Sequence, residues 1–164
     1  MADLLWAPWR MEFIGGKPEP GCLFCRTGRA GGDDAENLVL WRGALAFVIL
    51  NRYPYSNGHL MMAPYRHGGA LGELTAEEAA ELLGLAGRCT EILAAAFQAE
   101  GFNVGFNLGK VAGAGVGDHL HLHVVPRWTG DTNFLPVIGD TRVMPEYLGA
   151  TFRKLQPHFQ AAGR

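Results

Sequence analysis

Three histidines alternate with aliphatic residues in His119-Leu-His-Leu-His-Val-Val-Pro126. An extended strand sends successive side chains to opposite faces. His119, His121 and His123 therefore share one face, while Leu120, Leu122 and Val124 turn into a core. Neighbouring histidine Cα atoms are then roughly 7 Å apart. Val or Thr would serve a strand better, so packing alone gives no reason for imidazoles here. Two chemistries would use such a face. The imidazoles could ligate one metal ion. Alternatively one of them attacks phosphorus while its neighbours hold the phosphate, since imidazole is a good nucleophile near neutral pH and its phosphoramidate adduct turns over. The loop directly upstream, Gly109-Lys-Val-Ala-Gly113-Ala-Gly115-Val-Gly117-Asp118, favours the second, because glycines let backbone N–H groups approach an anion. Its spacing is neither a Walker loop nor a dinucleotide fingerprint.

A second constellation is Cys22-Leu-Phe-Cys25. A redox pair of this kind should open a helix after a strand, but a Gly/Asp-rich segment, 28–34, follows it. Half of a zinc site fits better, provided two further ligands lie elsewhere in the chain.

The elements that must position these residues follow from periodicity. Leu38–Trp41 and Ala44–Leu50 read as two short strands joined at Arg42-Gly43. Asn51–Gly58 is a loop by its Pro, Asn and Gly content, and His59–Pro64 is a third apolar run. Thr75-Ala-Glu-Glu78 is a capping box that opens a long helix. Leu82, Leu85, Cys89, Ile92 and Phe97 recur along it at helical spacing, and Gly101 ends the pattern. Cys89 lies on that stripe and reads as core. Phe102–Leu108 is a strand leading to the glycine loop. Leu135–Ile138 reads as a short extended piece, and a last helix starts near Pro145 and runs to about His158. The order predicts an α+β fold, an antiparallel β-meander packed on one long helix, with a C-terminal helix.

At 164 residues the chain can form one domain with a proper core. With 48% apolar residues, 18% charged and a net charge of −2, it is neither a disordered polymer nor a polybasic nucleic-acid binder. No nucleic-acid partner is expected. Nor is a membrane partner, because no apolar run nears the ~18 residues of a spanning helix. The N-terminus lacks the layout of a signal peptide. Three cysteines is an odd count that makes no disulfide framework, so a cytoplasmic protein is expected. The tryptophans and prolines of residues 1–20 suggest an arm lying over something apolar.

The run His119-Leu-His-Leu-His-Val-Val, with Asn51 and Asn57-Gly-His59 upstream, resembles the histidine-triad (HIT) family of nucleotide hydrolases and transferases. The flanks Trp6-Ala-Pro-Trp-Arg10 and Pro126-Arg-Trp128 are similar to a bacterial branch that includes diadenosine tetraphosphate phosphorylases. The resemblance implies a single HIT-like domain over 1–164, with an arm (1–21), a core (22–128) and a C-terminal extension (129–164). It implies that His121 is a nucleophile, nucleotidylated on the α-phosphate of a dinucleoside polyphosphate, and that water or orthophosphate accepts the nucleotidyl group. His123 and loop amides near Gly115 and Gly117 would hold phosphate oxygens, with His119 and His59 supporting the cluster. Asn107 would stand on the phosphate side, Asn51 at the ribose, Ile49 against the base, and Trp128 in a base-binding wall or a subunit interface. Cys22, Cys25, His67 and His119 would hold a structural zinc, with no metal required for the chemistry. The expected assembly is a homodimer. One departure stands out: the loop carries neither the Ser nor the Gln that many members place before the triad.

Overall fold

The computed structural model describes residues 21–28, 32–131 and 144–161. The tryptophan-rich arm and the extended piece expected at 135–138 lie outside these residues. Five strands form one antiparallel sheet: β1 (Val39–Arg42), β2 (Ala46–Leu50), β3 (Leu60–Pro64), β4 (Gly101–Phe106) and β5 (Leu122–Arg127). The spatial order is β1-β2-β3-β5-β4, so the chain departs from a simple meander. β5 inserts between β3 and β4, pairing Met61 with His123 on one side and Gly105 with His123 on the other. This insertion places the histidine run in the interior of the sheet.

Alternation divides the sheet cleanly. Ala46, Val48, Leu50, Leu60, Met62, Leu122 and Val124 face the long helix α2 (Ala76–Phe97) and the terminal helix α3 (Leu148–Ala161). Leu82, Leu85, Cys89, Ile92 and Leu93 of α2 and Phe152, Leu155 and Phe159 of α3 close that core. The other face carries Phe47, Ile49, Met61 and Ala63, covered by Phe24. Phe24 belongs to a short helix, α1 (Leu23–Gly28), which carries Cys25, ends where the expected Gly/Asp-rich segment begins and was not expected from the sequence. Six residues are too few to show amphipathic periodicity, and such a helix forms because tertiary contacts hold it. Those contacts are specific. The Arg42 guanidinium donates to the carbonyls of Thr27 and Gly28 at 3.0 and 2.9 Å and pairs with Asp34.

The capping box forms as predicted. Glu78 N–H donates to Thr75 Oγ1, and the Glu78 carboxylate accepts from Thr75 N–H. That buried carboxylate also takes two hydrogen bonds from Arg66, at 2.9 and 2.6 Å. The start of α2 is thus tied to the residue beside His67. At the far end of the chain, α3 runs through Pro157. The ring removes one N–H, but Leu155 and Phe159, both buried, hold the last turn to the core.

Candidate active site

The histidine run begins ahead of the β-ladder. β5 starts at Leu122, while Leu120 N–H donates to the Gly68 carbonyl at 2.7 Å and continues the extended path. Gly69 allows the close approach this requires, since a Cβ there would lie 3.0 Å from the Gly117 carbonyl oxygen. His59, His119, His121 and His123 are all buried. Burial pushes all four pKa values down, His59 to about 3 and His123 to about 4, with neighbouring imidazoles adding to the effect on both. Carbonyls of Pro64 and His119 partly oppose the shift at His119 and His121. At neutral pH each ring therefore carries one proton, and the question becomes which nitrogen holds it.

The partners answer that question ring by ring. His121 Nδ1 lies 2.8 Å from the His119 carbonyl, which only accepts, so Nδ1 is the N–H and the lone pair is on Nε2. His119 Nε2 lies 2.9 Å from the Pro64 carbonyl, so its lone pair is on Nδ1. His59 Nδ1 accepts from the Tyr55 backbone N–H at 3.1 Å, a donor that cannot be reversed. The Asn51 amide nitrogen, oriented because Asn51 Oδ1 accepts from Tyr53 N–H, stands 3.2 Å from the same atom. His59 Nε2–H must then donate to His123 Nδ1, 2.9 Å away, which leaves the His123 proton on Nε2. His123 Nε2 and the Tyr55 hydroxyl both lie 3.3 Å from the terminal nitrogen placed on Asn107. An N–H cannot donate to an NH₂ group. The chain closes when the amide is turned over, so that its oxygen accepts from both.

The other end of the run faces sulfur. Cys22 Sγ is 3.3 Å and Cys25 Sγ 3.6 Å from His119 Nδ1, and Cys25 Sγ is 3.3 Å from His67 Nδ1. All four ligand atoms lie within 4.8 Å of one another. A tetrahedron with Zn–S of about 2.3 Å and Zn–N of about 2.0 Å has S–N edges of about 3.5 Å, so this Cys₂His₂ group could hold such an ion. Asp118 Oδ2 stands 3.9 Å from His67 Nε2, an exposed carboxylate near the ring but too far for a direct hydrogen bond. Residue 118 itself lies in a turn, outside any strand. A HIT domain model matches residues 34–130, well over half of the chain.

This chain belongs to the HIT family. It is 41% identical to the AP-4-A phosphorylase of Mycobacterium tuberculosis, over 92% of this chain and 81% of that protein. It is 32% identical to the adenosine 5'-monophosphoramidase hnt1 of Schizosaccharomyces pombe, over 65% of this chain and 74% of that one. A zinc-bound histidine triad family protein from Mycobacterium smegmatis superposes with a TM-score of 0.69 at 25% identity, over 87% of this chain and 95% of that structure. The chain is a HIT-family enzyme, with the α+β fold of that family.

Nine of the expected residues form two adjoining clusters in this HIT site, and four lie outside them. His59, His121, His123, Asn51 and Asn107 converge in one cluster, and Cys22, Cys25, His67 and His119 in an adjoining one. Ile49 packs beside Phe24, Phe47 and Met61 on the same sheet face. Gly115 and Gly117 are exposed, and a Cβ on either would meet nothing within 4 Å. Trp128 stands apart, its indole N–H donating to the Phe97 carbonyl at 3.1 Å where α2 ends. Two aromatic residues were not anticipated. The Phe24 ring lies 4.7 Å from that of His121 and 5.2 Å from that of His119. Tyr55 lies over His59 and His123, with ring centroids 4.6 and 5.8 Å away. The available signal was an aromatic residue four positions before His59, in a loop that also carries Tyr53.

Proposed function

We propose that this protein cleaves dinucleoside polyphosphates at the α-phosphorus through a covalent intermediate on His121. The observation that carries the reading is the His121 tautomer, with Nδ1–H committed to the His119 carbonyl and a buried, neutral ring presenting the Nε2 lone pair. In the first step Nε2 attacks the α-phosphorus, an N–P bond forms, the bridging P–O bond breaks, and the remaining polyphosphate leaves. In the second, orthophosphate or water attacks the nucleotidyl-histidine, the N–P bond breaks, and the nucleotide departs. His123 Nε2–H and the amides near Gly115 and Gly117 are the donors for phosphate oxygens, and Ile49 with Asn51 forms the wall for the nucleoside. The AP-4-A phosphorylase among the relatives supports the substrate class, and orthophosphate as acceptor.

Zinc is the metal whose preferences the Cys₂His₂ group matches. It would supply a structural link between α1 and the histidine run, with four protein ligands and no position for substrate. A homodimer is supported by β4, an edge strand of six residues with no charge and no proline to shield it. No described helix is long and apolar enough to cross a membrane, and a cytoplasmic location is proposed with this.

Incubation with diadenosine tetraphosphate, with and without orthophosphate, tests the reading. ADP plus ATP formed only with orthophosphate identifies a phosphorylase. AMP plus ATP without it identifies a hydrolase. Failure to turn over the dinucleotide would overturn the substrate class and direct attention to nucleoside phosphoramidates, the substrates named for the fission-yeast relative.

A further inference from the structure

The loop before the triad, 111–118, contains no hydroxyl or amide side chain. The groups that face His123 come instead from His59, from Tyr55 in the loop before it and from Asn107, the residue after β4. Tyr55 touches three members of the hydrogen-bonded chain at once. Its backbone N–H donates to His59 Nδ1 at 3.1 Å. Its ring lies 5.8 Å from that of His123 at an interplanar angle of 26°, a stacked arrangement. Its hydroxyl lies 3.3 Å from the Asn107 amide, and the same amide atom is 3.3 Å from His123 Nε2. The amide can serve His123 only in one of its two orientations. The one-way donor His123 Nε2–H selects that orientation, and the phenol, which can donate as well as accept, then adds a second hydrogen bond to the same oxygen.

We propose that Tyr55 is a positioning residue for the proposed phosphate-handling pair. Its hydroxyl adds a second hydrogen bond to the Asn107 oxygen that His123 meets, and its ring backs the imidazole, so that His123 Nε2–H is held in the orientation that meets a phosphate oxygen. This rests on the nucleotidyl-transfer reading for its kinetic consequence, but not for the geometry. Phosphate binding draws His123 Nε2–H away from Asn107. The Tyr55 hydroxyl then still gives the Asn107 amide a partner.

Two substitutions separate the parts. Tyr55→Phe keeps the ring and the main-chain donor and removes only the hydroxyl. It lowers kcat about 3–10-fold, the size of one hydrogen bond, with KM unchanged within about twofold. In an Asn107→Ala background the same substitution costs less than about twofold, because the amide through which the hydroxyl acts is gone. Tyr55→Leu removes the ring as well and loses more. An equal loss from Tyr55→Phe in both backgrounds, or wild-type kcat in the single variant, overturns the proposal. Imidazole ¹⁵N spectra of the protein without nucleotide give a reading independent of turnover. Tyr55→Phe moves the His123 nitrogen signals and leaves those of His59 in place, since the backbone donor to His59 is retained. Unmoved His123 signals overturn the proposal. If the wild-type protein fails to cleave any dinucleotide, the functional reading falls while these spectra still decide the role of Tyr55.

Discussion

At the His119 end of the histidine run the imidazole donates its Nε2–H to the Pro64 carbonyl and turns Nδ1 towards two thiols, beside the exposed ring of His67. At the His123 end the imidazole accepts at Nδ1 from another buried histidine and carries its proton on Nε2. His121, between them, carries its proton on Nδ1. Three identical residues at alternate positions thus hold their protons on Nε2, Nδ1 and Nε2, and each assignment comes from a partner in the surrounding fold. One end is suited to a metal, whose ligand nitrogen must be unprotonated. The other passes a fixed direction of hydrogen bonding from a main-chain donor towards the position proposed for phosphate. The lesson is that a histidine's chemistry here is set by which carbonyl or donor its second nitrogen meets.

The comparison breaks most sharply in the middle. His121→Ala leaves both ends intact and removes the nitrogen assigned to attack. Turnover should fall at least about 10⁴-fold, with the melting temperature changed by only a few degrees. Appreciable residual turnover, measured with the same dinucleotide, would sink the nucleophile assignment.

The metal end should respond in stability before it responds in chemistry. An ion present at one hundred times its Kd contributes about 2.7 kcal/mol, which for a chain of this length is about 5–10 °C in melting temperature. Chelation should therefore lower the melting temperature by that order, and Cys25→Ser should blunt the response. Metal content and melting curves measured together check it. Activity that disappears on chelation at a temperature where the fold persists would contradict a purely structural ion.

The relay end should respond to acid. Burial holds His59 down to about 3 and His123 to about 4, whereas both return to about 6.5 in the unfolded chain. Above that pH neither state binds these protons. Below it the unfolded chain takes up protons that the fold refuses, so stability falls as pH drops from about 6.5 towards 4. Melting temperatures at pH 7 and pH 5 should differ in that sense, and the difference should shrink in His59→Asn. A melting temperature that rises on acidification would show that the buried rings do not stay neutral.

Much of this site was legible in the residues themselves. Alternation in His119–His123 is a local property, as are the capping box at Thr75 and the apolar stripe of α2, because each depends on spacing within one element. The fourth metal-ligand candidate, His67, was reached through family resemblance, and the distances to Cys25 now place it in the group. The short helix α1, the insertion of β5 between β3 and β4, and the position of Tyr55 over His123 were not legible. Each depends on contacts between segments far apart in the chain: Arg42 with the end of α1, Met61 opposite His123, and Tyr55 with Asn107.

The sequence by itself determined most of the elements and the face that the histidines share. Repeat spacing and side-chain chemistry act locally, and they survive whatever the rest of the chain does. Only the tertiary structure decided which nitrogen of each imidazole carries the proton. That choice belongs to the carbonyls of Pro64 and His119 and the backbone N–H of Tyr55, groups that every residue possesses and whose positions only the fold assigns.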